Sequence, residues 1–131
     1  MYRAELVEHD IRLGRQILDA LASAQISVAA ALWLYVPQIS EWHLIIGTSL
    51  VDKKGPRGAY GEVWSIFEKG KLLPLLPLRR LYLMSPKEEF IAALRTTVRT
   101  MREGRLTSAY IGGRLIEDAY LYDVRSTPRG N

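Results

Sequence analysis

The stretch from Ser27 to Val51 holds two apolar runs, Ser27 to Val36 and Glu41 to Val51, around a short polar break that contains Pro37 and Ser40. Runs of this length, rich in Val, Ile, Leu, Trp and Tyr and bounded by proline and glycine, are strand material, and two of them around a short break make a hairpin. A hairpin this apolar belongs at the centre of a sheet, which constrains the fold class more than any other feature. Placing Tyr35 opposite Glu41 gathers the even-numbered Val28, Ala30, Leu32, Leu34, Trp42, Leu44, Ile46 and Leu50 on one face as core. The odd face then carries Trp33, Tyr35, Glu41 and His43, a mixture of aromatic and polar groups suited to a pocket or a partner contact. A slip by one residue would set His43 among aliphatic side chains.

The hairpin is flanked by helical patterns. From Glu5 to Gln25, Val7, Ile11, Leu18 and Leu21, with Gly14 in the same row, recur at spacings of four and three, one face of a helix. Gly14 in a helix interior costs about 1 kcal/mol relative to alanine, which makes it a place for close approach of another backbone or simply a tolerated glycine. Lys53-Lys54-Gly55-Pro56-Arg57-Gly58 reads as a loop feeding a second helix, with Pro56 in its first turn, Tyr60, Val63, Trp64 and Phe67 on one face and Gly70 at its end. Lys71 to Leu78 alternates leucines with Pro74 and Pro77, an extended connector whose leucines cover the core or meet a partner. Arg79 to Met84 is a short strand. Ser85-Pro86-Lys87-Glu88 has the form of a helix start, with Ser85 as cap, and the helix runs to Glu103 with Gly104 closing it. Two last strands, Leu106 to Ile111 and Leu115 to Val124, are joined across Gly112-Gly113, which accepts the positive φ of a two-residue turn.

The expected order is αββαβαββ, an α/β (α+β) fold with a mixed five-stranded sheet and about three helices, whose two helical connections are each long enough for a parallel crossover. Residues 1–124 form one domain and 125–131 a polar tail.

With 131 residues, the chain buries roughly two-thirds of its unfolded surface and needs no staples. It has no cysteine, which excludes disulfides, thiolate metal sites and cysteine nucleophiles. The first residues run straight into a charged amphipathic pattern, and no stretch reaches the roughly 18 apolar residues of a spanning helix. A cytoplasmic location without membrane contact is the expectation. The net charge of +4 leans toward anionic partners, although 14 acids are interspersed among 18 basic residues.

Each chemical motif has a bland competitor. Arg95, Arg99 and Arg102 form a basic stripe that suits phosphates, and equally suits a solvated helix end, where cations complement the dipole. Lys53, Lys54 and Arg57 surround a glycine-rich helix start, a possible anion site that matches neither the P-loop nor the dinucleotide fingerprint. Glu41 with Asp52-Lys53-Lys54 resembles a nuclease constellation in outline. On one strand, however, those acids would stand about 36 Å apart at about 3.3 Å per residue, too far to share a metal ion. His9 has no ligand partner beyond Glu5, and the adjacent Glu117 and Asp118 point to opposite faces, the inward one needing Arg79, Arg80 or Arg114 as partner. No cofactor and no metal is called for.

Leu32-Trp33-Leu34-Tyr35, Glu41-Trp42, Leu50-Val51-Asp52 with Gly55-Pro56, Ser85-Pro86 and Ile116-Glu117-Asp118-Ala119-Tyr120-Leu121-Tyr122 together resemble a set of small bacterial single-domain proteins without an assigned function. The resemblance implies a bacterial cytosolic domain and transfers no catalytic or binding residue. Three functions are therefore ordered by the sequence. The first is a non-enzymatic protein-interaction domain, self-associating into a homo-oligomer or binding a protein partner. The second is a nucleic-acid-binding accessory protein. The third is a small metal-dependent hydrolase or nuclease using Glu41, His43 or Asp52.

Overall fold

The computed structural model describes residues 5–72 and 76–124. Its elements are α1 (Glu8–Ser23), β1 (Ala30–Val36), β2 (Glu41–Gly47), α2 (Leu50–Lys69), β3 (Leu81–Met84), α3 (Glu89–Met101), β4 (Gly104–Ile111) and β5 (Arg114–Tyr122), with a 3-10 turn over Leu78–Arg80 before β3. The strands form one mixed sheet in the order β3-β2-β1-β5-β4. The order αββαβαββ, the five strands and the three helices agree with the pattern of the sequence. The expected tail, 125–131, and the centre of the leucine-proline connector, 73–75, lie outside the described residues.

The β1–β2 hairpin sits at the heart of the sheet, but in the register that the sequence disfavoured. Val36 pairs with Glu41, Tyr35 with Trp42, Trp33 with Leu44 and Leu34 with His43. A four-residue turn, Pro37–Ser40, with Ser40 at φ 50, sets this pairing one residue away from the expected one. Odd residues of β1 therefore share a face with even residues of β2. Ala31, Trp33, Tyr35, Trp42, Leu44 and Ile46 pack under α1 and α2, whereas Ala30, Leu32 and Ile45 pack under α3. Both faces are core, so hydrophobicity alone cannot choose between registers.

Helix α1 buries Leu13, Ile17, Leu18 and Leu21 around Gly14. Burying each of these aliphatic side chains is worth about 1.5–3 kcal/mol. Val7, expected inward, lies before the helix and is 49 % exposed; its N–H is received by the Asp10 carboxylate at 3.3 Å. Gly14 does permit a close approach, made by side chains rather than backbone. A Cβ there would lie 2.0 Å from the Tyr122 hydroxyl and 2.9 Å from Trp33 Nε1. The Trp33 indole donates to the Asp10 carbonyl (3.1 Å) and the Tyr122 hydroxyl to the Ile11 carbonyl (2.6 Å), which locks β1 and β5 to α1.

Strand β2 stops at Gly47 instead of running to Val51. A Cβ on Gly47 would meet Ile91 of α3 at 2.5 Å. The Thr48 hydroxyl then donates to the Ser27 carbonyl (2.6 Å) and accepts the Leu50 N–H (3.2 Å), turning the chain into α2. That helix is broken at Gly55, whose φ of 73 and ψ of 166 let it restart at Pro56, the first-turn position expected for this proline. Helix α2 connects parallel neighbours, β2 and β3. The Tyr60 hydroxyl accepts the Leu83 N–H at 3.0 Å and donates to the Leu81 carbonyl at 3.3 Å, using backbone groups of the short edge strand that β2 leaves free. Leu72 and Leu76 of the connector are buried with α1 and α2.

Two expectations for α3 are corrected. Ser85 is not its cap: the helix follows Glu88, while the Ser85 hydroxyl accepts the Lys87 N–H and donates to the Asp52 carboxylate, with both carboxylate oxygens at 2.9 Å. Nor does Gly104 close it. Arg102 takes the positive φ of 66 and Gly104 already belongs to β4. The α3 connection is also no parallel crossover, because it joins the two opposite edges of the sheet, β3 and β4, which run antiparallel. Gly112 and Gly113, at φ 55 and 80, make the expected hairpin turn. Within that hairpin Ser108, at φ 51, drops out of the ladder opposite Glu117 and breaks the inside-outside alternation, so that Ile111 and Ile116 both join the α3 cluster.

Candidate anion-binding cleft

At the end of the sheet where β1 begins, four segments converge. The lead-in Ser27–Ala29 is held by Thr48 on the Ser27 carbonyl and by the Ala29 N–H on the Gly47 carbonyl at 2.7 Å. Opposite lies α3, pinned to the sheet by Ile91, Leu94 and Val98. Pro86 and Val124 complete the walls of a cleft of about 310 Å³. Arg95 and Arg99, one helical turn apart, flank the buried Val98 and line one wall, and among the described residues no carboxylate lines the cleft. Neither arginine is ion-paired to a described residue. Arg102, at the helix end, is exposed. A wall with two guanidinium groups, each able to donate in a bidentate fork, has the chemistry of a phosphate or carboxylate receptor.

The second predicted basic group belongs to the same end of the molecule. The Asp52–Ser85 hydrogen bonds tie the first turn of α2 to the segment carrying Pro86, and Lys53 and Arg57 of that helix are both exposed without lining the cleft. Lys54 differs, because it is ion-paired with Glu62.

The four residues expected to share the odd hairpin face are divided between the two faces. Trp33 and Tyr35 are buried under α1 and α2. Glu41 and His43 fall on the other face, at the far end of the sheet from the cleft. There Glu41 accepts Arg79 Nη1 (2.5 Å) and lies 3.1 Å from His43 Nε2, and the His43 ring stacks on Tyr82 with centroids 4.8 Å apart. Arg79, and after it His43, hold the Glu41 carboxyl below its ordinary range. Asp52 remains at the opposite end of β2 from Glu41, and among the described residues no group of three His, Asp or Glu side chains stands close enough to hold a metal ion.

The inward carboxylate is Asp118, and its partner is none of the three foreseen. Arg105 grips it through two hydrogen bonds of 2.8 and 2.9 Å. The foreseen arginines serve elsewhere. Arg79 holds Glu41, Arg80 donates to the Trp42 carbonyl at 2.8 Å and lies over Trp33, and Arg114 lies over Phe90. Around Trp33, burial pushes the Tyr122 hydroxyl pKa up, and burial with the Glu103 hydrogen bond pushes Tyr120 up to about 12. These hydroxyls stay protonated and act as structural donors.

The cleft itself escaped sequence reasoning, since Ser27–Ala29, Pro86 and Val124 are distant in the chain. Its one legible signal is the pair Arg95 and Arg99 around an inward valine. Comparison of the chain with protein-family models, with curated proteins and with solved structures found no match. No described helix is long and apolar enough to cross a membrane.

Proposed function

We propose that this protein is a non-enzymatic interaction domain that receives a negatively charged group of a partner in the cleft between α3 and the Ser27–Ala29 segment. One observation carries the reading: Arg95 and Arg99 share a wall of a cleft that no described carboxylate lines, and neither is neutralised by a described neighbour. Arginines that serve only the fold acquire partners, whereas guanidinium groups held unpaired in a concavity favour an external anion. Glu41, His43 and Asp118 each engage a neighbouring side chain, and His43 and Asp118 are buried, which supports a reading without acid-base chemistry. Retention on a heparin column tests the reading. The native protein is expected to elute at clearly higher salt than the R95A/R99A variant, and identical elution contradicts it.

A second reading, self-association into a homo-oligomer, is favoured by a separate feature. Tyr110 and Leu115 are cross-strand partners near the tip of the β4–β5 hairpin and are 76 % and 67 % exposed. Such a paired apolar exposure suits the same patch of a second copy. Sedimentation equilibrium of the native chain and of Y110S/L115S decides it: a concentration-dependent dimer abolished by the substitutions supports it, and a strict monomer ends it.

A further inference from the structure

We infer that the anionic partner is the backbone of a nucleic acid, held across the outer face of α3 without choice of sequence. The inference rests on the cleft reading and names its ligand class. From residue 90 to residue 102 the chain has no acid, and Arg95, Arg99 and Arg102 all fall in this interval. At a rise of about 1.5 Å per residue, these three span about 10 Å along the helix, a distance that covers about three nucleotides of one strand at about 3.4 Å each. We extend this row to Lys53 and Arg57, both exposed on α2, whose first turn the Asp52–Ser85 hydrogen bonds tie to the segment carrying Pro86.

What lies between the arginines discriminates between two kinds of anionic macromolecule. Beside the arginines, the exposed residues of this face are Glu89, in the first turn, and then Ala92, Thr96 and Thr100, and among the described residues none of the large exposed apolar side chains, Val7, Ile39, Trp64, Tyr82, Tyr110 and Leu115, belongs to α3. Protein interfaces draw their affinity from a few buried aromatic or large anchors, which this face does not offer. A polyphosphate backbone needs no anchor. Guanidinium groups and small hydroxyl residues in a row suit phosphate contacts, which position a nucleic acid without reading its bases. Among the described residues, no exposed aromatic side chain lines the cleft to stack an unpaired base, so duplexes are expected to bind at least as well as single strands.

Fluorescence anisotropy with the full chain tests this. The labelled probes are a 20-base-pair DNA duplex in two unrelated sequences, a 20-nucleotide RNA and polyglutamate, each titrated between 50 and 200 mM KCl. With five phosphates neutralised, duplex affinity is expected to fall about 500-fold over that range, equally for both sequences. In R95A/R99A the fall is expected to shrink to about 40-fold, while R95K/R99K, which keeps the charge, retains the native slope. The lysine variant and a native circular dichroism spectrum separate lost charge from lost folding. Polyglutamate binding that depends on the two arginines, with no nucleic-acid binding, overturns this inference and leaves the cleft reading standing. Binding of no probe overturns both, and duplex binding with a salt slope untouched by R95A/R99A overturns the placement on α3.

Discussion

Two populations of arginine divide this molecule. Around the sheet and α1, Arg12 is exposed without a partner among the described residues, but Arg15, Arg79, Arg80, Arg105 and Arg114 are engaged: Arg15 with Glu103 at 2.6 Å and the Tyr122 ring, Arg79 with Glu41, Arg80 with the Trp42 carbonyl and the Trp33 ring, Arg105 with Asp118 and the Trp42 ring, Arg114 with the Phe90 ring. On α3, Arg95 and Arg99 line a cleft and have no such partner among the described residues. The side chain is the same in both regions, but its surroundings assign it different work. In the first region guanidinium groups satisfy carboxylates and cover aromatic rings that would otherwise meet water. In the second they are left to the solvent side of a helix whose inner face serves the core, which supports the recognition surface proposed above.

The contrast can be broken from either side, and the largest effect belongs to the engaged region. Gly14→Ala drives a methyl into the Tyr122 hydroxyl and Trp33 indole, and overpacking of this kind is expected to cost about 3 kcal/mol, net of the better helix propensity. Urea unfolding measures it; an unchanged midpoint would mean that the α1 notch is not closed as described. Arg105→Ala removes two charge-assisted hydrogen bonds from the buried Asp118 carboxylate. Because the arginine is itself about half exposed, the expected loss is discounted to about 2 kcal/mol, and a double-mutant cycle with Asp118→Asn should recover part of it.

Glu41 gives a smaller, pH-dependent effect. Its carboxyl is held below its ordinary value near 4.5 by Arg79 and then His43, so the native state binds its proton less readily than the unfolded chain does. The stabilisation is therefore present above pH 4.5 and lost as pH falls through the lowered value. Melting temperatures of the native protein and Glu41→Gln should converge on acidification below pH 4.5, and a constant difference would deny the pairing. The smallest effect on stability is expected at the unpaired arginines, where R95A/R99A should stay within about 0.5 kcal/mol of the native protein. A larger loss would move these residues into the engaged population.

Much of the fold was legible because the chain is punctuated by residues with narrow backbone choices. Gly112-Gly113 marked a hairpin turn, Pro56 a helix start after Gly55, and Gly70 a helix end. The register of the central hairpin was not legible. Its two faces are both apolar, so the pattern of hydrophobicity carries no preference, and the four-residue turn with Ser40 at positive φ decides it. That single slip moved Trp33 and Tyr35 away from Glu41 and His43. Local signals also yielded to distant partners. Ser85 has the form of a helix cap, but Asp52, far away in sequence, holds its hydroxyl. Arg105 reached Asp118 because their strands pair, a fact no spacing along the chain encodes. In the candidate site, Arg95 and Arg99 could be read from helical spacing, whereas the opposite wall is assembled only by the sheet.

Nuclear magnetic resonance of the arginine Nε–Hε groups, titrated with a short heparin fragment as a general polyanion, tests the division between the two populations most directly. Saturable shifts are expected to concentrate at Arg95 and Arg99, with Arg79, Arg80 and Arg105 unmoved in their pairs. Shifts concentrated at those three instead, or no saturable shift at Arg95 and Arg99, would contradict that division.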